Sequence, residues 1–284
     1  MPSITLTNTE GLSVTLGNHA PFYIEKITGL SEVNVQFETQ RAPKQHGATY
    51  FDSTLDEREI TIEGTIITRQ NLSELQGKKR LLQQITNPLN AQPIKLTYEH
   101  EATVREIMAT VETTPIFPND AGQHGLYYQK FMLVFICHQP FWQDVYTESR
   151  EMSYLMGGLQ FGLRLPTTFS YRGFRRRAEN EGDVGTPVEI VFNGPATNPT
   201  VTNISTGEFI RVNRSLGEED VLSIYTEFGN KYVRINGENA FHYLDLASVF
   251  WQLAKGENIL SYESNNDSIK TRVVVKWKNR YIGL

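Results

Sequence analysis

From Glu59 to Ile66 the chain alternates polar with apolar residues, Ile60, Ile62 and Ile66 against Glu59, Thr61, Glu63 and Thr65. That is the period of a strand with one wet face and one packed face. The same reading gives strands at Ile4–Thr7, Val14–Leu16, Phe22–Ile27, Val33–Phe37, Ile94–Tyr98 and Val104–Val111. Phe131–Ile136 is apolar at every position, which predicts a central strand covered on both sides. A single helical period interrupts the series over about 71–86. Asn71 stands where an N-cap belongs, Glu74 follows three residues on as a capping box requires, and Leu72, Leu75, Leu82 and Ile85 form the apolar stripe. Asn87-Pro88 ends it.

Past residue 186 the strand signals return at Val188–Phe192, Thr200–Asn203, Phe209–Val212, Val221–Tyr225, Tyr232–Ile235, Ile259–Tyr262 and Thr271–Trp277. Asn236-Gly237 marks a tight hairpin turn. Short strands at regular intervals with turn residues between them predict a sandwich or jelly roll. Thr39–Thr54 and Pro115–Gly125 read as long loops, the kind that serve as contact elements. From Trp142 to Thr186 periodicity fades, which predicts a connector or arm, with Gly157-Gly158 as flexible linker. At 284 residues the chain favours two domains over one large β domain. The expected fold is therefore mainly β: a sandwich-like domain with one packed helix over 1–141, a connector over 142–186, and a β-sandwich over 187–284.

Charge narrows the function. The net charge is −5, and the part up to Pro140 carries 11 Lys+Arg against 15 Asp+Glu, the remainder 16 against 17. Neither portion is basic enough to grip duplex DNA. The run Arg175-Arg176-Arg177 is offset by Glu179, Glu181 and Asp183 and reads as a solvated loop. A lone cysteine, Cys137, excludes an internal disulfide and fits folding in a reducing cytoplasm. No charged leader and no long apolar run appear, so neither export nor membrane insertion is expected. Without export, the sequons at Asn71, Asn203 and Asn213 are chance matches.

No set of residues points firmly to bond-making chemistry, and neither a catalytic group, a metal nor a cofactor is expected. Cys137-His138 are neighbours on a strand and face opposite ways, so thiol and base do not meet. Asp120 and His124 share a loop where turn chemistry explains them better than a metal. Gly157 and Gly162 have phosphate-loop spacing, but Leu163-Arg164 stands where Lys-Ser or Lys-Thr is required. The acidic groups Asp56, Glu57, Glu59 and Glu218, Glu219, Asp220 read as solvated rims rather than a glycosidase pair. Trp142, Trp251, Trp277, Tyr232, Tyr243 and Tyr281 raise a carbohydrate-binding module for host wall glycans as the alternative function, although Phe250-Trp251-x-Leu253 and Val273-x-Val275-x-Trp277 sit in apolar patterns that favour core filling.

Several ordered motifs resemble the distal tail proteins of long, noncontractile-tailed bacteriophages and their prophages. In the front part they are Leu55-x-x-Arg58-x-Ile60-x-Ile62-x-Gly64-x-Ile66 and Phe135-x-Cys137-x-x-Pro140-Phe141-Trp142. Behind these come Asn198-Pro199-x-Val201-x-Asn203-x-x-Thr206-Gly207-x-x-Ile210, Asp220-x-Leu222-x-Ile224, Phe250-Trp251-x-Leu253-x-x-Gly256-Glu257-Asn258-Ile259 and Trp277-x-Asn279-Arg280-Tyr281-Ile282-Gly283-Leu284. The resemblance implies a non-enzymatic structural protein at the virion tail tip. Its N-terminal β domain with a packed helix would form a homohexameric ring, and its C-terminal domain would be a galectin-like sandwich on the ring's outside. The implied partners are further copies of the chain, the major tail protein of the tube, the tail-associated tip protein and, through the outer domain, a receptor-binding protein. Genomic DNA would pass the lumen without specific binding. Enlarged members carry extra sugar-binding modules, for which this chain has no room.

Overall fold

A computed structural model describes residues 2–69, 72–89, 92–153, 175–265 and 270–284. The chain divides into two compact units, Met1–Val145 with Tyr281–Leu284, and Tyr146–Arg280.

The first unit holds β1 (Ser3–Thr7), β2 (Ser13–Leu16), β3 (Asn18–His19), β4 (Phe22–Thr28), β5 (Val35–Gln40), β6 (Thr49–Leu55), β7 (Arg58–Ile67), α1 (Leu72–Ile85), β8 (Ile94–His100), β9 (Thr103–Ile116), β10 (Tyr128–Cys137) and β11 (Trp142–Asp144). Its sheet runs β2-β1-β8-β9-β10-β7-β4-β3, and β11 also pairs with β9. Gly17, between β2 and β3, bridges Tyr23 in β4. Gly17 N donates to Phe22 O at 3.0 Å and Ile24 N to Gly17 O at 2.8 Å, so the two ends of the path meet and the sheet closes on itself. Closure uses up the strand edges that would otherwise invite another chain.

The sandwich-like expectation thus takes the form of one sheet facing itself across a core that includes Ile4, Leu6, Ile60, Ile62, Leu96, Phe131, Leu133, Phe135 and Trp142. Gly64 is required where β4 and β10 approach β7: a Cβ there would lie 2.2 Å from Tyr23 O and 2.6 Å from the Phe131 ring. The helix packs on β7, β2 and β9 through Leu75, Leu82 and Ile85. Leu72, the first residue of α1, is 52% exposed, contrary to its expected place in the stripe. The cap at Asn71 lies outside the described residues.

The second unit holds β12 (Glu148–Ser153), β13 (Arg175–Asn180), β14 (Val188–Asn193), β15 (Ala196–Thr197), β16 (Thr200–Asn203), β17 (Glu208–Arg211), β18 (Ser215–Leu216), β19 (Val221–Tyr225), β20 (Tyr232–Ile235), β21 (Glu238–Asn239), β22 (Gly256–Glu263) and β23 (Arg272–Trp277). They form a sheet β12-β23-β14-β19-β20-β21, a second sheet β13-β22-β16-β17 and the small pair β15-β18. Residues from both main sheets share one core, among them Ile190, Phe192, Ile224, Val233, Leu260, Val273, Val275 and Trp251. The expected hairpin is present: Ile235 pairs with Glu238 across Asn236 (φ 53°) and Gly237 (φ 85°), the left-handed pair that a two-residue turn demands.

Three sequence readings need correction. Thr39–Thr54 is mostly a hairpin, β5 paired with β6, because its apolar and aromatic positions fall in strand register across a bulge at Glu38/Thr39. The 142–186 stretch is no plain connector: β11 belongs to the first unit, while β12 and β13 pair with β23 and β22 of the sandwich. Accordingly Arg175-Arg176-Arg177 lies on a strand rather than in a loop, with Arg177 bridging Glu257 at 3.1 Å. A run of charges hides a strand when only its alternate positions are packed. Gly157, Gly158 and Gly162 lie outside the described residues.

Candidate functional site

The residues singled out for chemistry are held apart or occupied. Cys137 is buried, and burial pushes its thiol up to about 12 while Arg58 pulls it the other way; such a group is a packed hydrophobe, not a nucleophile. His138, the next residue, is exposed and its Nδ1 meets Glu57 Oε1 at 2.6 Å. In the loop before β10, His124 Nε2 lies 3.1 Å from Asn119 O. Among the described residues no group of three or more His, Cys, Asp and Glu could hold a metal ion. Asp56, Glu57 and Glu59 line an open hollow of about 380 Å³. Glu218 is engaged by Lys270 at 2.7 Å, and Asp220 accepts from Gly217 N and Asn236 Nδ2, as a turn carboxylate does. Those hydrogen bonds, Gly217's first, keep its carboxyl below the ordinary range.

Nor do the tryptophans offer a sugar platform. Trp142, Trp251 and Trp277 are all buried, Trp142 with its Nε1 donating to Leu30 O at 2.9 Å. Tyr243 is covered by the Arg214 guanidinium and the His242 ring, at 4.7 and 3.9 Å from its centroid. Among the described residues the exposed rings of the second unit include Tyr146, Phe228 and Phe241, which sequence reading passed over; Phe241 stacks on Phe250 at 5.6 Å, and Lys231 lies over both Phe228 and Phe250.

What the structure does bring together are the motifs of the front part and the last residues. Arg58, fully buried at the start of β7, donates to Pro140 O at 2.8 Å, Gly29 O at 2.8 Å, Leu30 O, Glu32 O and Ile282 O. Its charge is answered by carbonyl dipoles, and burial holds its pKa below the ordinary arginine value. Arg105 adds a second clasp, donating to Gly283 O at 2.6 Å with its guanidinium 3.4 Å over the Tyr281 ring. Spacing gave no hint that Arg58, Pro140, Trp142 and Ile282 share one place.

Among the described residues, two surfaces of the first unit carry exposed or half-buried apolar side chains. One is the β5–β6 hairpin, exposed along nearly its whole length, with Val35, Phe37, Tyr50 and Phe51 at 42%, 65%, 57% and 60% exposure. Phe37 and Tyr50 meet edge to face at 6.3 Å, which puts them on one side, while Glu38 and Asp52 oppose each other on the other. The second is the outward side of the sheet around β10. Phe131, Leu133, Phe135 and Cys137 point to the core; Met132, Val134 and Ile136 point away and are only half-buried. On the same outward side Ile116 pairs with Met132, Ile67 pairs with Tyr128, and Met108 stands on β9; all three are exposed.

Family comparison fits this division. Residues 9–137 match the phage tail protein RIFT-related domain, and residues 181–281 match the siphovirus-type tail component, C-terminal domain. The chain belongs to the siphophage distal tail protein family. Two solved structures share the fold over 98% of both chains. One is the crystal structure of the phage SPP1 distal tail protein, presented as a paradigm of the hub adsorption apparatus in phages infecting Gram-positive hosts, at 14% identity and a TM-score of 0.67. The other is the phage P2 baseplate in its activated conformation with Ca, at 12% identity and a TM-score of 0.56. No curated protein matches the chain significantly in sequence.

In this distal tail protein, the motif residues of the second unit prove to be turn-makers. Asn203 is buried, its Oδ1 accepting from Ser205 N at 3.1 Å and its carbonyl from Gly207 N at 2.8 Å. Asn258 Nδ2 donates to Ala254 O and Gly256 O, and Asn203 Nδ2 donates to Asn258 Oδ1 at 3.2 Å. A sequence pattern built on such side chains marks how the loops are held.

Proposed function

We propose that this distal tail protein is the structural hub of a long noncontractile tail tip. Six copies close into a ring that joins the tail tube, through the major tail protein, to the tail-associated tip protein. The C-terminal sandwich is the attachment point for a receptor-binding protein, and genomic DNA passes the lumen unbound. The protein acts in the virion tail after synthesis in the host cytoplasm.

One observation carries the ring. In a unit whose sheet edges are closed, the β5–β6 hairpin stands outside the core with an aromatic face in water. An isolated two-stranded hairpin is marginal alone, and an exposed aromatic face is a contact surface in waiting. A ring needs each copy to offer two different, complementary patches. The mildly acidic front part agrees with a channel that does not hold DNA.

Negative-stain imaging with light scattering of the purified full chain tests this. Ring particles with six-fold views are expected. A chain that stays monomeric at high concentration and also fails to enter rings with its tail partners overturns the proposal.

A further inference from the structure

The second unit holds a hollow of about 390 Å³ where β18, the β20–β21 hairpin and the short 3-10 turn Phe241–Tyr243 come together. That volume stands near the small end of the range of ligand pockets, about 300–1,000 Å³, which suits a single small ring. The floor is apolar, with Leu216 and Ala240 buried and Ile235 half-buried. The rim is polar and of mixed sign, formed by Arg214, Asp220, Glu238, Asn239 and His242.

Local bonds brace this rim without exhausting it. Asp220 accepts from Gly217 N at 2.7 Å and from Asn236 Nδ2 at 2.8 Å, and Asn236 Oδ1 accepts from Val221 N at 2.8 Å, so the turn on that side is held. Arg214 Nη1 donates to the Tyr243 hydroxyl at 2.7 Å, and Asn239 Oδ1 accepts from Phe241 N at 3.0 Å. Each of these two side chains is tied by one end. Among the described residues the Arg214 Nε and Nη2, the Asn239 Nδ2 and the Glu238 carboxylate have no protein hydrogen-bond partner. Planar donors and a carboxylate acceptor therefore border an apolar floor.

The chemistry of this set narrows the occupant. Asp220 and Glu238 outnumber Arg214, which disfavours an anion such as a phosphate. Both Asp220 oxygens are engaged by donors, so Glu238 alone faces the hollow as a free carboxylate, too few oxygen ligands for a hard cation. A wholly apolar ligand would strip water from the rim without replacing its hydrogen bonds. A neutral ring with adjacent hydroxyls answers every group. We propose that the hollow binds the terminal, uncharged sugar of a glycan: Glu238 accepts from one hydroxyl, Arg214 and Asn239 donate to its neighbours, and the C–H side of the sugar rests on Leu216, Ile235 and Ala240. Arg214, Glu238 and Asn239 are exposed, so the glycosidic link can leave toward solvent. This binding needs neither the buried tryptophans nor closure of a hexamer.

Saturation-transfer difference NMR on the full chain tests the site, with the methyl glycosides of glucose, galactose, rhamnose and N-acetylglucosamine as neutral probes and glucose 6-phosphate as the charged one. Saturation transfer to at least one neutral glycoside is expected. Glu238→Ala and Asn239→Ala, both at exposed positions, are each expected to weaken that binding about tenfold, the loss of one hydrogen-bonding group, with the fold checked by circular dichroism. Lys255→Ala, exposed and outside the hollow, is expected to leave it unchanged. Absence of transfer to every neutral glycoside, equal affinity in both rim variants, or tighter binding of glucose 6-phosphate than of all the neutral probes overturns the proposal.

Discussion

The two units solve the same packing problem differently. In the second unit β14 alternates cleanly, with Val188, Ile190 and Phe192 buried, and its outward Glu189 is tied to Lys276 at 3.4 Å and to the Tyr232 hydroxyl at 3.2 Å. Its two sheets cover each other, and the side facing away is finished with charge. In the first unit the equivalent outward positions on β10 are Met132, Val134 and Ile136, and a hairpin bearing exposed phenylalanines stands off the sheet. Among the described residues, the second unit thus finishes the outward side of β14 with charge, whereas the first leaves apolar side chains half-buried on the outward side of β10 and exposed on the hairpin. In the ring proposed above, assembly rests on the first unit, and core defects in the second should leave it intact.

The largest effect that would test this contrast comes from Trp251→Ala, which empties a buried site in the second unit and should cost about 3–5 kcal/mol. Denaturant unfolding followed by tryptophan fluorescence and circular dichroism should show that loss, with particle size in native buffer unchanged. Dissociated rings would show that the second unit takes part in assembly after all. Arg58→Met should come next, at about 2–4 kcal/mol, because several buried carbonyls lose their donor at once. Here assembly should fall along with stability. Arg58→Lys should not rescue it, since one ammonium cannot reach the carbonyls that a planar fork spans.

In the first unit an alkaline effect should come from Cys137. The folded state holds the Cys137 thiol near 12 against an ordinary 9.0, so the unfolded chain ionises first. Stability from this group is complete below pH 9 and is lost as the pH rises toward 12, at about 1.4 kcal/mol per pH unit at most. Comparing alkaline melts of the wild type and Cys137→Ala isolates this contribution, and equal pH slopes would refute it. The native thiol should also resist a disulfide reagent until the unit unfolds. The smallest expected change is a gain: Glu38→Lys replaces a like-charge pair opposite Asp52 with an attractive one and should stabilise the hairpin by about 0.5 kcal/mol. A slower amide exchange in β5 and β6 would report it, and faster exchange would contradict it.

Much of this was legible along the chain. Local alternation placed β1, β2, β4 and β7 in the first unit and β14, β16, β17, β19, β20 and β23 in the second, Asn236-Gly237 announced its turn, and Leu75, Leu82 and Ile85 announced the buried helix face, because each rests on contacts or dihedral preferences within a few residues. The apolar run of β10 even stated that two layers belong over it. What the sequence could not say is which elements meet. That Gly17 meets Tyr23 and closes the sheet, that Arg58 gathers Gly29, Pro140 and Ile282 around one guanidinium, and that β12 and β13 join the sandwich across 154–174 are all long-range pairings. Periodicity reports the environment of a residue but not the identity of its partner, so only the tertiary structure decided which surfaces of this protein pack against its own elements and which stay exposed.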